Sequence, residues 1–320
     1  MILALAGGVG GAKLAHGLAK LLEPDQLLVV VNTGDDFEHL GLPISPDLDT
    51  VTYKLAGINN PDTGWGLIGE SWAFMSALES LGGESWFRLG DRDLATHVIR
   101  AKGLREGNSL SKVTADIASH YGILHRIVPM SDHPVRTIVE TDIGDLPFQI
   151  YFVREKCEPI TKRVKFEGAN NAFPSELFME ALNNEAVNAI VICPSNPILS
   201  IAPILALSGV RNRLRSHPAP LIAVSPIIAG RAVKGPTAKI FEEMKMDSSA
   251  LGVANYYHDV LDGIVIDSQD AHLAASISSK GIDVITADIL MNSTSDQVRL
   301  AGDVLEFAQR LRKVEVSNAV

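Results

Sequence analysis

Four aspartates crowd into one short stretch, Asn32–Thr50 (NTGDDFEHLGLPISPDLDT): Asp35, Asp36, Asp47 and Asp49. Two pairs of carboxylates joined by a loop rich in turn formers can converge on one divalent cation, or divide acid and base work between them. A purely structural account also exists, in which Asp47 complements a helix dipole and Asp35 makes a turn. Position favours the chemistry. The stretch leaves the apolar run Leu27–Val31, which reads as a buried parallel strand. It ends where Ser45, as N-cap, and Pro46, at the first helical position, open a helix.

A second set of residues has the makings of phosphate binding. Gly7-Gly8-Val9-Gly10-Gly11-Ala12-Lys13 follows the apolar run Ile2–Ala6 and precedes Leu14, Leu18, Leu21 and Leu22, which share one helical face. Such a turn offers backbone N–H groups and a helix N-terminus to an anion, and Lys13 adds a charge. It is not a P-loop, because no Gly-Lys-Ser/Thr follows at the required spacing. It also departs from the dinucleotide fingerprint. Lys13 stands where the third glycine belongs, and Asn32, not an acid, ends the second strand; both weigh against a nicotinamide-dependent dehydrogenase. Gly8, Gly10, Gly11, Lys13 and Asn32 are the candidate contacts.

Two later turns leave strands in the same manner. Cys193–Ser200 (CPSNPILS) places Ser195 and Asn196 between prolines, a stiff loop with hydroxyl, amide and backbone donors. Ser225–Pro236 (SPIIAGRAVKGP) carries Arg231 and Lys234 among glycines and suits phosphate or nucleotide contact. Elsewhere, Gly90–Arg100 (GDRDLATHVIR) combines Asp91, Arg92 and Asp93 with His97 and Arg100. Capping and surface pairing account for the acids and Arg92 equally well; His97 and Arg100, one turn apart, could share a face, and a solvated helix explains them as well.

The elements that must position these residues alternate. Strand, glycine turn, helix and strand fill the first 31 residues, a βαβ unit that calls for a parallel sheet with helices on its faces. From Val51 to about His120 the spacing is helical, with segments near Trp72–Leu81, Leu94–Lys102 and Leu110–Tyr121. Leu124–Val128, Val135–Thr141 and Pro147–Val153 read as strands of an antiparallel excursion, with Lys162, Arg163 and Lys165 as surface charge on its flank. Strands resume at Ala189–Cys193, Leu221–Val224, Gly263–Ile266 and Ile282–Thr286, and a helix over Asp296–Lys313 closes the chain. The expectation is therefore one Rossmann-like, doubly wound α/β domain over residues 1–320, its sheet mainly parallel, with a helical and antiparallel subdomain inserted at roughly 60–185.

Composition bounds the partners. The chain has 320 residues, 46% hydrophobic, enough for a large core, and a net charge of −10 without a basic block, which argues against nucleic acid. Cys157 and Cys193 form no paired motif, so neither a disulfide framework nor a thiolate zinc site is signalled. With no signal segment and no apolar run of membrane-spanning length, a cytoplasmic protein is expected. Ligands of an open parallel sheet bind beyond the carboxyl ends of its strands. Phosphate cradles beside converging carboxylates describe a cation-bridged site for a phosphorylated compound, and oxygen ligands favour magnesium over zinc. Without a nucleophile elbow, direct transfer between bound substrates is the expected chemistry.

These blocks resemble the 2-phospho-L-lactate transferases of coenzyme F420 biosynthesis. The resemblance is carried by GGVGGAKL (Gly7–Leu14), VVVNTGDD (Val29–Asp36), ISPDLDTV (Ile44–Val51), LGDRDLATHVIR (Leu89–Arg100), PMSDHPV (Pro129–Val135), PSNPILSI (Pro194–Ile201), AVSPIIAGRAVKGP (Ala223–Pro236) and GVANYY (Gly252–Tyr257), in family order along nearly the whole chain. It implies transfer of a phospho-acid unit from a guanosine diphospho-acid donor to the ribityl hydroxyl of the deazaflavin Fo, with release of GMP, magnesium dependence and a homodimer. It implies Asp36 and Asp49 as catalytic metal carboxylates with Asp47 beside them, Gly8–Lys13 and Ser195-Asn196 at phosphate or nucleotide, and Asp91 and Arg92 toward Fo. The donor acid, phospholactate, phosphoenolpyruvate or phosphoglycerate, stays open. The alternative is a non-catalytic regulator of the same superfamily that binds UDP-sugars; the acids of ISPDLDT and GDRD favour the transferase.

Overall fold

In the strands Ile2–Ala6 (β1) and Leu27–Val31 (β2) every residue is buried, and alternate residues serve opposite cores. Leu3, Leu5, Leu28 and Val30 join one core, Ile2, Ala4, Val29 and Val31 the other. A strand buried on both faces has no polar side, so it appears as an unbroken apolar run. The computed structural model describes residues 1–233 and 235–318. Among them, Arg126–Pro129 (β3), Ala189–Ile192 (β4), Leu221–Val224 (β5), Gly263–Asp267 (β6) and Asp283–Ala287 (β7) complete a seven-stranded parallel sheet. Its order, β7-β6-β5-β4-β1-β2-β3, is that of a dinucleotide-binding fold extended by one strand. The order reverses between β1 and β4, which pair in register from Ile2↔Ala189 to Leu5↔Ile192.

Helices cover both faces. The helix Gly8–Leu21 (α1) lies against the closing helix Thr294–Asn318 so closely that a Cβ on Gly17 would sit 2.1 Å from the Gln297 carbonyl oxygen. Pro46–Ala56 (α2), Ala73–Ser80 (α3), Asp93–Arg105 (α4) and Leu110–His120 (α5) fill the connection from β2 to β3. No helix among the described residues is long and apolar enough to cross a membrane.

Residues 60–185 lie in two excursions rather than one, because β3 returns to the central sheet between them. The first is helical. The second is a small antiparallel sheet of Gly144–Pro147, Arg136–Thr141 and Thr161–Glu167. Two local expectations change here. Pro147–Val153 is not a strand: the ladder stops at Pro147, which has no N–H to give. The chain then winds into a π-type turn over Ile150–Arg154, and Phe148 and Tyr151, three residues apart, both reach the core. The basic cluster Lys162, Arg163 and Lys165 lies on a strand, where Lys165 ion-pairs with Glu140.

The acid-rich loop also holds an unexpected hairpin. Phe37–His39 pairs antiparallel with Leu42–Ile44 around Leu40-Gly41, whose φ angles of 54° and 72° give the primed turn that suits the twist of two strands. Pairing Phe37 with Ile44 sets the flanking residues Asp36 and Ser45 side by side.

Candidate functional site

At the switch point two turns interlock. Gly7 N–H donates to Ser195 Oγ at 3.1 Å. A Cβ on Gly10 would lie 2.2 Å from the Pro194 carbonyl oxygen, and one on Gly11 would lie 2.5 Å from Ser195 Oγ. Glycine is required here for close approach, not for turn geometry alone. α1 carries neither a side-chain cap nor an acid of its own in its first turn, so its N-terminus meets the opening with positive character. Asn196 Oδ1 accepts from the N–H groups of Ile198 (2.9 Å) and Leu199 (3.0 Å). Its buried Nδ2 has no hydrogen-bond partner among the described residues. Lys13 Nζ donates to the Met291 carbonyl at 2.7 Å while its side chain borders the opening.

From this turn a cleft of roughly 630 Å³ runs along α2 to an aromatic wall. Asp35, Asp47 and Asp49 line it, as do Gly8, Gly10, Lys13, Ser195 and Asn196. Asn32 lies behind them and organises the acids: its Nδ2 donates to Asp35 Oδ1 (2.8 Å) and to Asp47 Oδ2 (3.0 Å). Asp36 is buried beside the cleft without bordering it. Ser45, expected as a helix cap, instead gives its hydroxyl to Asp36 Oδ2 at 2.7 Å, an outcome of the hairpin. Burial drives all four carboxyls above the usual range. Asp36 is pushed up to about 7 and Asp47 to about 6, while Asp35 is raised well above its ordinary value by burial, with Asp47 and Asp36 beside it adding to the rise.

The wall opposite the glycines is a buried polar network, where the sequence allowed either a shared face or a solvated helix. His97 and Arg100 are each only 2% exposed. Arg100 Nη2 contacts Asp49 Oδ1, and its Nη1 lies 3.2 Å from His97 Nδ1. Tyr53 donates its hydroxyl hydrogen to Asp93 Oδ1 at 2.5 Å, and His97 Nε2 stands 3.2 Å from Asp93 Oδ2. The overlooked signal was a stripe. Asp93, His97 and Arg100 recur at helical spacing, while Val98 and Ile99 of the same helix are about half exposed, so α4 turns its polar side inward.

Beyond this network Trp65, Phe87, Phe148 and Phe152 border the cleft, with the Phe148 and Phe152 rings stacked at 5.3 Å. Not every candidate is brought in. Asp91 caps α3, accepting from the N–H groups of Ala73 and Phe74 at 3.0 Å each, and Arg92 Nη1 holds the Ile68 carbonyl. Both brace the loop over the cleft and neither borders it. Arg231 is exposed on a small hairpin outside the lining, and Lys234 lies outside the described residues. Gly11 packs against Ser195 behind the surface.

Two buried carboxylate oxygens, Asp36 Oδ1 and Asp49 Oδ2, have no hydrogen-bond partner among the described residues. Buried anionic oxygens without donors are what a hard cation takes, so the donor set fits magnesium. Asp49, Asp93 and His97 also bring one ligand atom each within 4.8 Å of one another. The guanidinium of Arg100 has only hydrogens to give, however, so His97 Nδ1 accepts and the ring hydrogen sits on Nε2, facing Asp93. That trio is held through its neighbours, Asp49 and His97 by Arg100 and Asp93 by the Tyr53 hydroxyl.

A sequence profile of the family described as 2-phospho-L-lactate transferase CofD matches residues 2–303. A phosphoenolpyruvate transferase from Kitasatospora aureofaciens is 37% identical over 318 residues, spanning 97% of this chain and 98% of its own. A 2-phospho-L-lactate transferase from Methanosarcina mazei is 39% identical over 301 residues, spanning 94% and 98%. A crystal structure of a UPF0052-family protein from Bacillus halodurans aligns with a TM-score of 0.58 at 14% identity, covering 95% of this chain and 98% of that one, and shows a shared fold. The chain belongs to the 2-phospho-L-lactate transferase family and is a transferase.

Proposed function

We propose that the protein transfers a phospho-acid unit, 2-phospholactyl or phosphoenolpyruvyl, from a guanosine diphospho-acid to the ribityl hydroxyl of the deazaflavin Fo, releasing GMP in coenzyme F420 biosynthesis. The observation that carries this reading is the continuity of one cleft from the interlocked glycine and Pro194–Asn196 turns, past buried acids, to an aromatic wall. The α1 N-terminus, Lys13, Ser195 and the unpaired Asn196 amide hold the diphosphate. The aromatic wall takes the flat deazaflavin. Asp36 and Asp49 would hold magnesium, with Asp47 and Asp35 beside them. Bound there, magnesium supplies neutralising charge at the phosphoryl oxygens.

The acceptor hydroxyl oxygen forms a bond to the phosphorus that bears the acid, and the bond from that phosphorus to GMP breaks. The hydroxyl proton passes to a carboxylate of the cleft. Asp47, which lines the cleft with its carboxyl pushed by burial up to about 6, has the affinity a general base needs near neutral pH.

The test is incubation with Fo, magnesium and each guanylated acid (phospholactate, phosphoenolpyruvate, phosphoglycerate), followed by mass spectrometry of the deazaflavin. Fo extended by the phospho-acid, together with stoichiometric GMP, is expected from at least one donor. No product from any of them, combined with calorimetric binding of a UDP-sugar far tighter than GDP, would replace this reading with a metabolite-binding protein.

A further inference from the structure

We propose that Arg100 is a positioning residue that makes Asp49 present one fixed oxygen to the cleft; the inference rests on the role given to Asp49 above. Arg100 is buried and does not border the cleft, so it touches no substrate. It reaches from α4 across 51 positions of sequence to Asp49 on α2. Its Nη2 engages Asp49 Oδ1, and its Nη1 is shared between His97 Nδ1 (3.2 Å) and the Pro43 carbonyl (3.4 Å). A planar guanidinium anchored at three points has no freedom to swing.

Two consequences follow for the acids. A carboxylate on a helix can exchange its oxygens by rotating about χ2, and pinning Oδ1 removes that exchange. Oδ2 is left without a donor: His97 Nδ1 lies 3.7 Å from it, but that nitrogen accepts from Arg100 and has no hydrogen to offer. The same contact fixes the imidazole hydrogen on Nε2, which stands 3.2 Å from Asp93 Oδ2, while the other oxygen of Asp93 takes the Tyr53 hydroxyl. One buried cation thereby orients Asp49 and the imidazole beside Asp93, and lysine, a point charge on a flexible stem, could serve only one of these contacts.

The experiment compares the full chain with Arg100→Lys, Arg100→Met and Asp49→Asn by steady-state kinetics, and reads the His97 tautomer by 15N NMR of histidine-labelled protein. Folded Arg100→Met should lose about a hundredfold in kcat, the scale of a small misplacement at a reacting centre, with both KM values unchanged. Arg100→Lys should recover part of that loss. The wild-type His97 signal should be that of an Nε2–H ring, and in Arg100→Met it should shift toward a mixture. Native kcat in Arg100→Lys or Arg100→Met beside an inactive Asp49→Asn would overturn the positioning role and leave Asp49 its own. Native turnover in Asp49→Asn would instead remove the role of Asp49. An Nδ1–H ring in the wild type overturns the inference even if neither Arg100 variant folds.

Discussion

At the switch point, Gly7 donates to Ser195, Gly10 abuts the Pro194 carbonyl, and Asn32 ties Asp35 to Asp47. Along the opposite wall, Asp36 Oδ1, Asp49 Oδ2 and Arg100 Nε are buried without hydrogen-bond partners among the described residues, and His97 is packed among charges. The first region is backbone held at contact distance, rigid before any ligand arrives. The second is a set of desolvated carboxylates whose unfavourable burial is offset only in part. A preformed cradle gives affinity at little ordering cost, whereas an underpartnered acid gives reactivity at a cost in stability.

Asp36→Asn tests this contrast with the largest effect. Turnover should fall at least about a hundredfold, the range seen when a key electrostatic group is removed. The stability change should have the opposite sign. In the folded protein Asp36 titrates at about 7 against an ordinary 3.8, so the native state holds a proton that the unfolded chain releases. That contribution is fully present below about pH 4, declines as pH rises, and is gone above pH 7. The amide has no such dependence, so relative to wild type the variant should gain up to ~1.4 kcal/mol per pH unit across that window. Urea melts of both proteins with a chelator, from pH 4.5 to 8, measure the difference. Parallel stability curves would show that burial of Asp36 costs nothing and that the contrast between the two regions is false.

The same contrast explains which parts of the molecule were legible beforehand. Strands buried on both faces and a glycine turn between strand and helix are local patterns, so the parallel sheet and its glycine-lined edge follow from the order of residues. The wall does not, because its contacts join Asp49 to His97 and Arg100, 48 and 51 positions later on another helix. His97 and Arg100 could pass as solvated since polarity is read residue by residue, whereas their burial depends on each supplying the other's partner. The Phe37–Ile44 hairpin was hidden because Leu40-Gly41 lacks the Asn-Gly or Asp-Gly signature of its turn. With that hairpin went Asp36's partner, and Ser45 was left to look like a cap. Asp91 and Arg92 stand in a specific-looking block, yet their side chains are spent on α3 and on Ile68.

Gly10→Ala sharpens the comparison from the rigid side. Its methyl would lie 2.2 Å from a carbonyl of the facing turn, and neither turn has a flexible side chain there to yield. Overpacking of this kind costs ~1–3 kcal/mol. The two turns should part, and donor KM should rise about tenfold, equivalent to ~1.4 kcal/mol. Acceptor KM should stay constant, since the aromatic wall lies elsewhere. A variant that melts lower yet keeps its donor KM would mean that the interlock serves the fold and not the phosphates.

The smallest expected effect comes from the far end of the cleft. Phe152 is 40% exposed, its ring stacked on Phe148 at 5.3 Å with an interplanar angle of 17°. An exposed stacked ring adds little to the core, so Phe152→Ala should melt within a few degrees of wild type. If the pair forms a face for the deazaflavin, removing its outer ring forfeits a stacking contact of ~0.5–1.5 kcal/mol, a two- to tenfold rise in acceptor KM. Donor KM and kcat should not move, because the ring is remote from the switch point and contributes nothing to the bond being made. Kinetics with Fo varied at saturating donor, then the reverse, separate these quantities. A rise in donor KM, or a fall in kcat with acceptor KM unchanged, would place the acceptor ring elsewhere along the cleft and remove the aromatic wall from the binding scheme.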